Sequence, residues 1–150
     1  MQISSDVRKL WARTRLRVHA APLRLVSLPV SQVAAAARMI AGERPFASLI
    51  SEPDEVSLAL LETTWNEHRE DFPGAREAGP YRALTFNLDV DLAISGFFAP
   101  AAERLAEAGI SIVPQCAFLK DHLLVREADL ERAVSVLEEL ISECRAGPLG

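Results

Sequence analysis

The chain has 150 residues, a hydrophobic fraction of 49% and a formal net charge of −5. That length fits one domain, or two very small ones that share a core. Residues 1–21 hold five basic residues and one acid, which leaves 11 basic and 20 acidic residues in residues 22–150. A body this acidic argues against nucleic acid as the main partner, because phosphate binding requires a basic surface.

The sequence also argues against membrane insertion and secretion. No apolar run approaches the roughly 20 residues of a membrane span. Arg13, Arg15 and Arg17 lie where the apolar core of a secretion signal would be. Cys116 and Cys144 match no metal-binding or redox spacing, which predicts buried free thiols in a reducing compartment. We therefore expect a cytoplasmic protein that uses no metal and no cofactor.

Residues 1–21 form a basic N-terminal arm. Two structures fit this segment: a flexible arm, or a helix with Val7, Leu10 and Trp11 on one face.

The next part of the chain, residues 22–72, has the pattern of one small α+β unit. Apolar residues at helical spacing follow Ser31, which is placed to cap a helix, and Gly42 ends that helix. The predicted elements are a strand at Leu23–Leu28, a helix at Val30–Ala41, strands at Phe46–Ser51 and Val56–Glu62, and a short polar segment at Trp65–Phe72.

The same order of elements returns about 60 residues later. Residues 73–80 contain two prolines and two glycines, which predicts a linker loop. Residues 81–143 then form the second unit, and residues 144–150 form a tail. Its predicted elements are a strand at Tyr81–Leu88, a helix at Phe97–Ala108, strands at Ile110–Phe118 and His122–Arg126, and a helix at Ala128–Glu143.

The turn at residues 89–96 is the candidate site. A glycine between a strand end and a helix start lets backbone N–H groups approach a small anionic ligand. Ser95 either caps the helix or hydrogen-bonds a ligand. Asp89 and Asp91 either face an ammonium group or are solvated turn formers. Gly96 either opens the approach to the backbone or only permits the turn.

Gln115 is a further candidate contact. It follows Pro114, and a proline at this point indicates an edge strand or a bulge. His122 is expected to occupy a structural strand position. The chain has no Gly-x-Ser-x-Gly elbow, phosphate loop or His-Glu-x-x-His motif. We therefore expect no enzymatic activity.

Three segments of the second unit resemble the ACT-like family, which includes CASTOR-type amino-acid sensors and small bacterial tandem-ACT proteins. They are Gly96-Phe97, the Leu-Ala-Glu-Ala-Gly-Ile-Ser-Ile run at Leu105–Ile112, and the Asp-His-Leu-Leu-Val hairpin at Asp121–Val125. The resemblance is strong over Tyr81–Leu140, whereas Leu23–Glu62 shares only the order of elements. It implies an α+β, ferredoxin-like fold of two βαββ repeats, with mainly antiparallel sheets and helices on one face.

The resemblance also implies an amino-acid ligand near the first strand–helix turn, at an interface between modules. The amino-acid sensors that the chain resembles carry an Asp two or three residues before the matching glycine, where this chain has Ala93 and Ile94. The expected function is non-catalytic sensing of a small molecule by a homodimer, and the alternative is a dimerisation or protein-interaction module that binds no ligand. The expected ligand-binding residues are Asp89, Asp91, Ser95, Gly96, Phe97 and Gln115.

Overall fold

The computed structural model describes residues 3–147. Contacts between Cα atoms divide them into two compact units. We call residues 3–18 with 84–147 the terminal unit, and His19–Ala83 the central unit.

The described residues form five α-helices and seven strands, with three short 3-10 turns between them. In chain order these are α1 (Ser5–Arg13), β1 (Leu16–Val18), β2 (Leu23–Leu28), a 3-10 turn (Val30–Gln32), α2 (Val33–Ile40), β3 (Ser48–Ser51), β4 (Val56–Leu61), α3 (Glu62–His68), a 3-10 turn (Arg69–Asp71), β5 (Arg76–Phe86), α4 (Ala99–Glu107), β6 (Ile112–Cys116), β7 (Asp121–Arg126), a 3-10 turn (Glu127–Asp129) and α5 (Leu130–Ala146).

The central unit builds its sheet in the order β3, β4, β2 and the first part of β5. Strand β2 pairs antiparallel with β4 and with β5, and β3 pairs antiparallel with β4. Trp65 is fully buried in the core that this sheet forms with α2 and α3. Its Nε1–H donates to Glu77 Oε2 at 2.5 Å. This hydrogen bond lowers the pKa of Glu77, and the guanidinium groups of Arg69 and Arg24 lower it further against the opposing effect of burial.

The terminal unit contains the last part of β5, followed by β7 and then β6. Strand β1 pairs antiparallel with the end of β5, so that Leu16 lies opposite Phe86, and β6 pairs antiparallel with β7. Helices α1, α4 and α5 cover a core that includes Phe86, Leu105 and Leu137. Strand β6 ends the strand order, which confirms the edge position that Pro114 indicated.

Residues 5–13 form a helix. Of the two interpretations of the N-terminal arm, a flexible arm or a helix, the helix is therefore confirmed for these residues. Ser4 caps α1 by accepting a hydrogen bond from the Val7 N–H at 3.3 Å. Val7 and Trp11 are buried in the core of the terminal unit, because the apolar face of this helix packs against α5. The described part of the arm is therefore an integral part of that unit.

The division of the chain at residues 21, 72, 80 and 143 stays a prediction, but the local structure near two of these points differs from what we expected. Residues 76–80, expected in a loop, belong to β5. Their glycine and proline fall where the pairing of β5 with β2 shifts register, so they form an irregularity inside a strand. A Cβ at Gly79 would lie 3.0 Å from the Leu23 carbonyl oxygen, which explains the glycine. Helix α5 likewise runs into the expected tail, as far as Ala146.

Three predicted helix starts are wrong, and one of them is that of α5, which begins at Leu130 rather than at Ala128 because a 3-10 turn precedes it. Ser31 lies inside a 3-10 turn, and neither that turn nor α2 has a side-chain cap. Helix α4 begins at Ala99 rather than at Phe97, and its cap residue Phe98 has no side-chain hydrogen bond to the first turn. Ser95 is therefore too far from α4 to cap it.

Candidate functional site

The loop of residues 87–98, between β5 and α4, forms one wall of a pocket of about 250 Å³ in the terminal unit. The start of α4 and the hairpin between β6 and β7 form the other walls. Asp91 and Asp121 line the pocket, and each carries a carboxylate. Most of the remaining lining is apolar, and it includes Val90, Leu92, Ile94, Phe97, Phe98 and Leu119.

Hydrogen bonds to the hairpin fix the first part of this loop. The Val90 N–H donates to the Leu119 carbonyl oxygen at 2.9 Å. Lys120 donates to the carboxylate of Asp89, so the hairpin lysine and this aspartate form an ion pair. The acidic residue nearest the strand end is therefore already occupied by a protein cation.

Asp91 shapes the middle of the loop. Its Oδ1 accepts the Ala93 N–H at 2.8 Å, and its carbonyl oxygen accepts the Ile94 N–H at 2.9 Å. Such an arrangement is a turn in which the Asp side chain imitates a backbone acceptor. The interpretation of Asp91 as a turn former is therefore confirmed, and its contact with an ammonium group stays a prediction.

Trp11 fixes the end of the loop. Its indole stacks on the Phe97 ring, with the ring centroids 4.9 Å apart, and its Nε1–H donates to the Phe97 carbonyl oxygen at 2.8 Å. Helix α1 thus positions Phe97, which is buried and lines the pocket. Sequence reasoning assigned Trp11 no part in the site, although its place on the face of Val7 and Leu10 indicated burial.

Gly96 has a φ of +79°, which is the left-handed region that side chains rarely adopt. A Cβ at this position would meet no atom within 4 Å. The backbone conformation, rather than a close contact within the protein, is therefore what requires glycine here.

The structure brings three of the six expected site residues together, because Asp91, Gly96 and Phe97 all line the pocket. Asp89 is bound to Lys120, and Ser95 and Gln115 are not among the lining residues. Gln115 lies in β6 opposite His122, which occupies the strand position that we predicted. Sequence reasoning missed Asp121 as a lining residue, because its place in the hairpin suggested only a turn. Whether any of these residues binds a ligand stays a prediction.

The two cysteines differ in exposure. Cys144 is buried, as expected, but Cys116 is exposed, so its predicted burial is wrong. Cys116 lies near the end of an edge strand, which is covered on one side only. Desolvation raises the pKa of the Cys116 thiol to about 11, and the Asp121 carboxylate adds to the increase as hydrogen-bond acceptor and as negative charge.

Within residues 3–147, no three His, Cys, Asp or Glu side chains are placed to hold a metal ion. In the same residues no helix has the length and apolar character that crossing a membrane requires.

A family model described as an ACT domain matches residues 79–139. This range corresponds to the second unit of the sequence analysis and includes the whole candidate site. No curated protein matches the chain.

Solved structures resemble most of the chain. A protein from Agobacterium tumefaciens has a TM-score of 0.69 at 24% identity, over 86% of this chain and 90% of that chain. A Vibrio cholerae protein of unknown function, described as a possible transport protein, has a TM-score of 0.69 at 20% identity, over 90% and 95% of the two chains. The ligand-free regulatory subunit of aspartate kinase from Thermus thermophilus has a TM-score of 0.62 at 13% identity, over 85% and 97%.

These likenesses show the fold. The chain has a mixed α+β, ACT-like and ferredoxin-like architecture with antiparallel strand pairs, consistent with two βαββ repeats, which confirms the predicted fold class. The ACT part of the predicted family resemblance is also confirmed, over residues 79–139. The narrower likeness to CASTOR-type sensors stays a prediction.

Proposed function

We propose that this chain is a non-catalytic regulatory protein that binds a small molecule, with an amino acid as the ligand class, in the pocket of the terminal unit. The observation that carries the proposal is the composition of that pocket, which combines two carboxylates, apolar walls and the start of α4. The ACT-domain match over residues 79–139 supports it, and so does the fold shared with a regulatory subunit of aspartate kinase.

The size of the pocket favours a small ligand. Sites for drug-sized molecules usually measure about 300–1,000 Å³. A pocket of about 250 Å³ is better suited to a single amino acid than to a nucleotide. Its apolar walls favour an amino acid whose side chain is itself apolar.

The pocket offers complementary groups for both charges of an amino acid. The first-turn N–H groups of a helix have no acceptor inside the helix, and the helix dipole favours an anion there. We assign the ligand carboxylate to this end of α4 and to the backbone at Ser95–Phe97. We assign the ammonium group to Asp91, with Asp121 as a second carboxylate, because Asp89 is paired with Lys120. Phe97 and Phe98 would contact the side chain.

A thermal-shift screen of the twenty amino acids and the common nucleotides tests the proposal. A ligand present at a hundredfold excess over its Kd stabilises the fold by about 2.7 kcal/mol. We expect one or a few amino acids to raise the Tm, and Asp91→Asn to reduce that shift. Asp54→Asn is the matched control, because Asp54 lies in an exposed turn of the central unit. A screen in which no amino acid raises the Tm would contradict the proposal.

One observation favours the second candidate, a dimerisation module without a ligand. Large apolar side chains are exposed on the loop and on the hairpin that form walls of the pocket, with Leu92 68% and Phe118 75% exposed. Phe118 follows the edge strand β6, whose open edge is able to pair with another chain. If Gly96→Ala and Asp91→Ala leave all thermal shifts unchanged while dilution dissociates an oligomer in analytical ultracentrifugation, this second function replaces the first.

A further inference from the structure

The central unit contains a second pocket, of about 320 Å³, to which the sequence analysis assigned no function. Its walls are the 3-10 turn and α2 on one side, and the end of α3 with its following 3-10 turn on the other. Gln32, Arg38, His68 and Asp71 supply its polar groups, and Met39 and Phe72 belong to its apolar surface.

The apolar surface of this pocket is anchored in the core. Phe72 is buried, its ring lies 6.0 Å from that of the fully buried Trp65, and Met39 packs against the same cluster. Close-packed side chains of this kind move little. The polar groups at the rim are therefore presented by two elements whose positions are fixed.

Two opposite charges face this pocket without pairing. Within residues 3–147, the side chains of Arg38 and Asp71 make no ion pair or hydrogen bond to another protein group. The neighbouring Arg69 behaves differently, because its guanidinium is bound by Glu77 and Asn66. Arg38 and Asp71 are thus a cation and an anion on one pocket, and both are available to a molecule placed between them.

Two further polar groups lie at the same pocket. Gln32 Oε1 is closed off from solvent and has no donor among the described residues. A buried acceptor without a donor is unfavourable, and rotation of the amide toward a donor in the pocket would remove that cost. His68 Nδ1 lies 3.1 Å from the Thr64 carbonyl oxygen and donates to it, because a carbonyl oxygen only accepts.

We propose that this pocket binds a small zwitterion, a molecule with a carboxylate and an ammonium group on a short apolar body. The planar guanidinium of Arg38 matches a carboxylate, to which it can donate two parallel hydrogen bonds. The carboxylate of Asp71 and the amide oxygen of Gln32 accept from the ammonium group. Asp71 repels a simple anion and Arg38 repels a simple cation, so the two charges together select a ligand that carries both. This site is separate from the pocket of the terminal unit and does not rest on the function proposed for it.

Methionine methyl NMR tests this proposal on the whole chain. The sequence has two methionines, and Met39 is at the pocket. Met39→Leu identifies the Met39 signal by removing it. The probes are the twenty amino acids, added singly to about 10 mM, which is tenfold above a Kd of about 1 mM. Propionate and ethylamine are the matched probes that carry only one of the two charges.

We expect at least one amino acid to shift the Met39 signal in a saturable way, and propionate and ethylamine to shift it far less. Arg38→Gln and Asp71→Asn should each weaken binding at least about tenfold. Both side chains are exposed, so the fold should survive, which circular dichroism checks. Arg76→Gln and Asp54→Asn are the matched controls and should leave the titration unchanged.

Three outcomes would overturn the proposal: no saturable shift with any amino acid, equal shifts with the singly charged probes, or titrations that Arg38→Gln and Asp71→Asn leave unaltered. The result is independent of the terminal unit, because Asp91→Asn changes only the other pocket and should leave the Met39 titration as it is. Loss of the amino-acid thermal shift in Asp91→Asn with an intact Met39 titration would therefore separate the two sites.

Discussion

Trp11→Phe should destabilise the terminal unit and weaken ligand binding together. The change removes the indole N–H that donates to the Phe97 carbonyl oxygen at 2.8 Å, and it leaves that buried acceptor without its partner. An unsatisfied buried acceptor costs about 1–3 kcal/mol. The lost ring volume adds to this cost, because Trp11 is fully buried between Phe86 and Phe97. We expect a total loss of about 2–4 kcal/mol.

Trp65→Phe is the matched control for this variant. Trp65 is equally buried and its N–H donates to Glu77, but it lies in the central unit, away from the candidate site. Urea unfolding followed by circular dichroism measures the free energy of unfolding of both variants, because the one indole that each variant keeps lies in the unit that was not changed. A loss of about 2–4 kcal/mol is also a decrease in Tm of about 4–16 °C for a chain of this size.

The two variants should differ in their effect on ligand affinity. Trp11→Phe should reduce the amino-acid thermal shift, because Phe97 lines the pocket and loses the group that positions it. Trp65→Phe should lower stability and leave the affinity unchanged. Equal affinities in both variants, or a stability loss below about 0.5 kcal/mol in Trp11→Phe, would refute the assigned role of α1.

Three further outcomes are expected. Gly96→Val should abolish amino-acid binding by straining a left-handed residue in the pocket wall, whereas Gly109→Val introduces the same strain outside the pocket and should retain the affinity measured by calorimetry. The pKa of Glu77 in the folded state is lower than its ordinary value of 4.5. The stability that Glu77 contributes is therefore fully present above pH 4.5 and is lost as the pH falls through the folded-state pKa. Glu77→Gln should flatten the acidic part of the curve of unfolding free energy against pH. With its pKa raised to about 11, Cys116 should react slowly with iodoacetamide at pH 9 although it is exposed, and Asp121→Asn should accelerate the reaction; equal rates would contradict the assigned effect of that carboxylate.

Much of the fold could be predicted from local patterns. Side chains that face a core are apolar, and their spacing along the chain depends on the secondary structure. The sequence shows this spacing directly, as alternation in β4 and as a helical period in α5. Strand β5 was truncated in the prediction for the opposite reason. Its Gly79-Pro80 pair has the composition of a loop, and only the pairing with β2 shows that the chain continues as a strand.

The candidate site was predictable only in part. Gly96 and Asp91 lie close together in sequence, so a turn motif was enough to suggest them. Asp121 and Trp11 reach the same loop from a hairpin and from the N-terminal helix, contacts that depend on tertiary packing and leave no local pattern. The same limit applies to the pairing of Asp89 with Lys120, which distinguishes two aspartates that look equivalent in the sequence.

The contacts of the loop at residues 87–98 suggest how ligand binding would reach the rest of the terminal unit. Its first part is fixed by the β6–β7 hairpin, through Lys120 and the Leu119 carbonyl oxygen, and its end by α1 through Trp11. Asp91 on the loop and Asp121 on the hairpin place two like charges on one pocket, and like charges repel across a partly desolvated space. A ligand ammonium group between them would replace this repulsion by two attractions. Because the loop and the hairpin are already hydrogen-bonded to each other, the proposed ligand would stabilise both segments together.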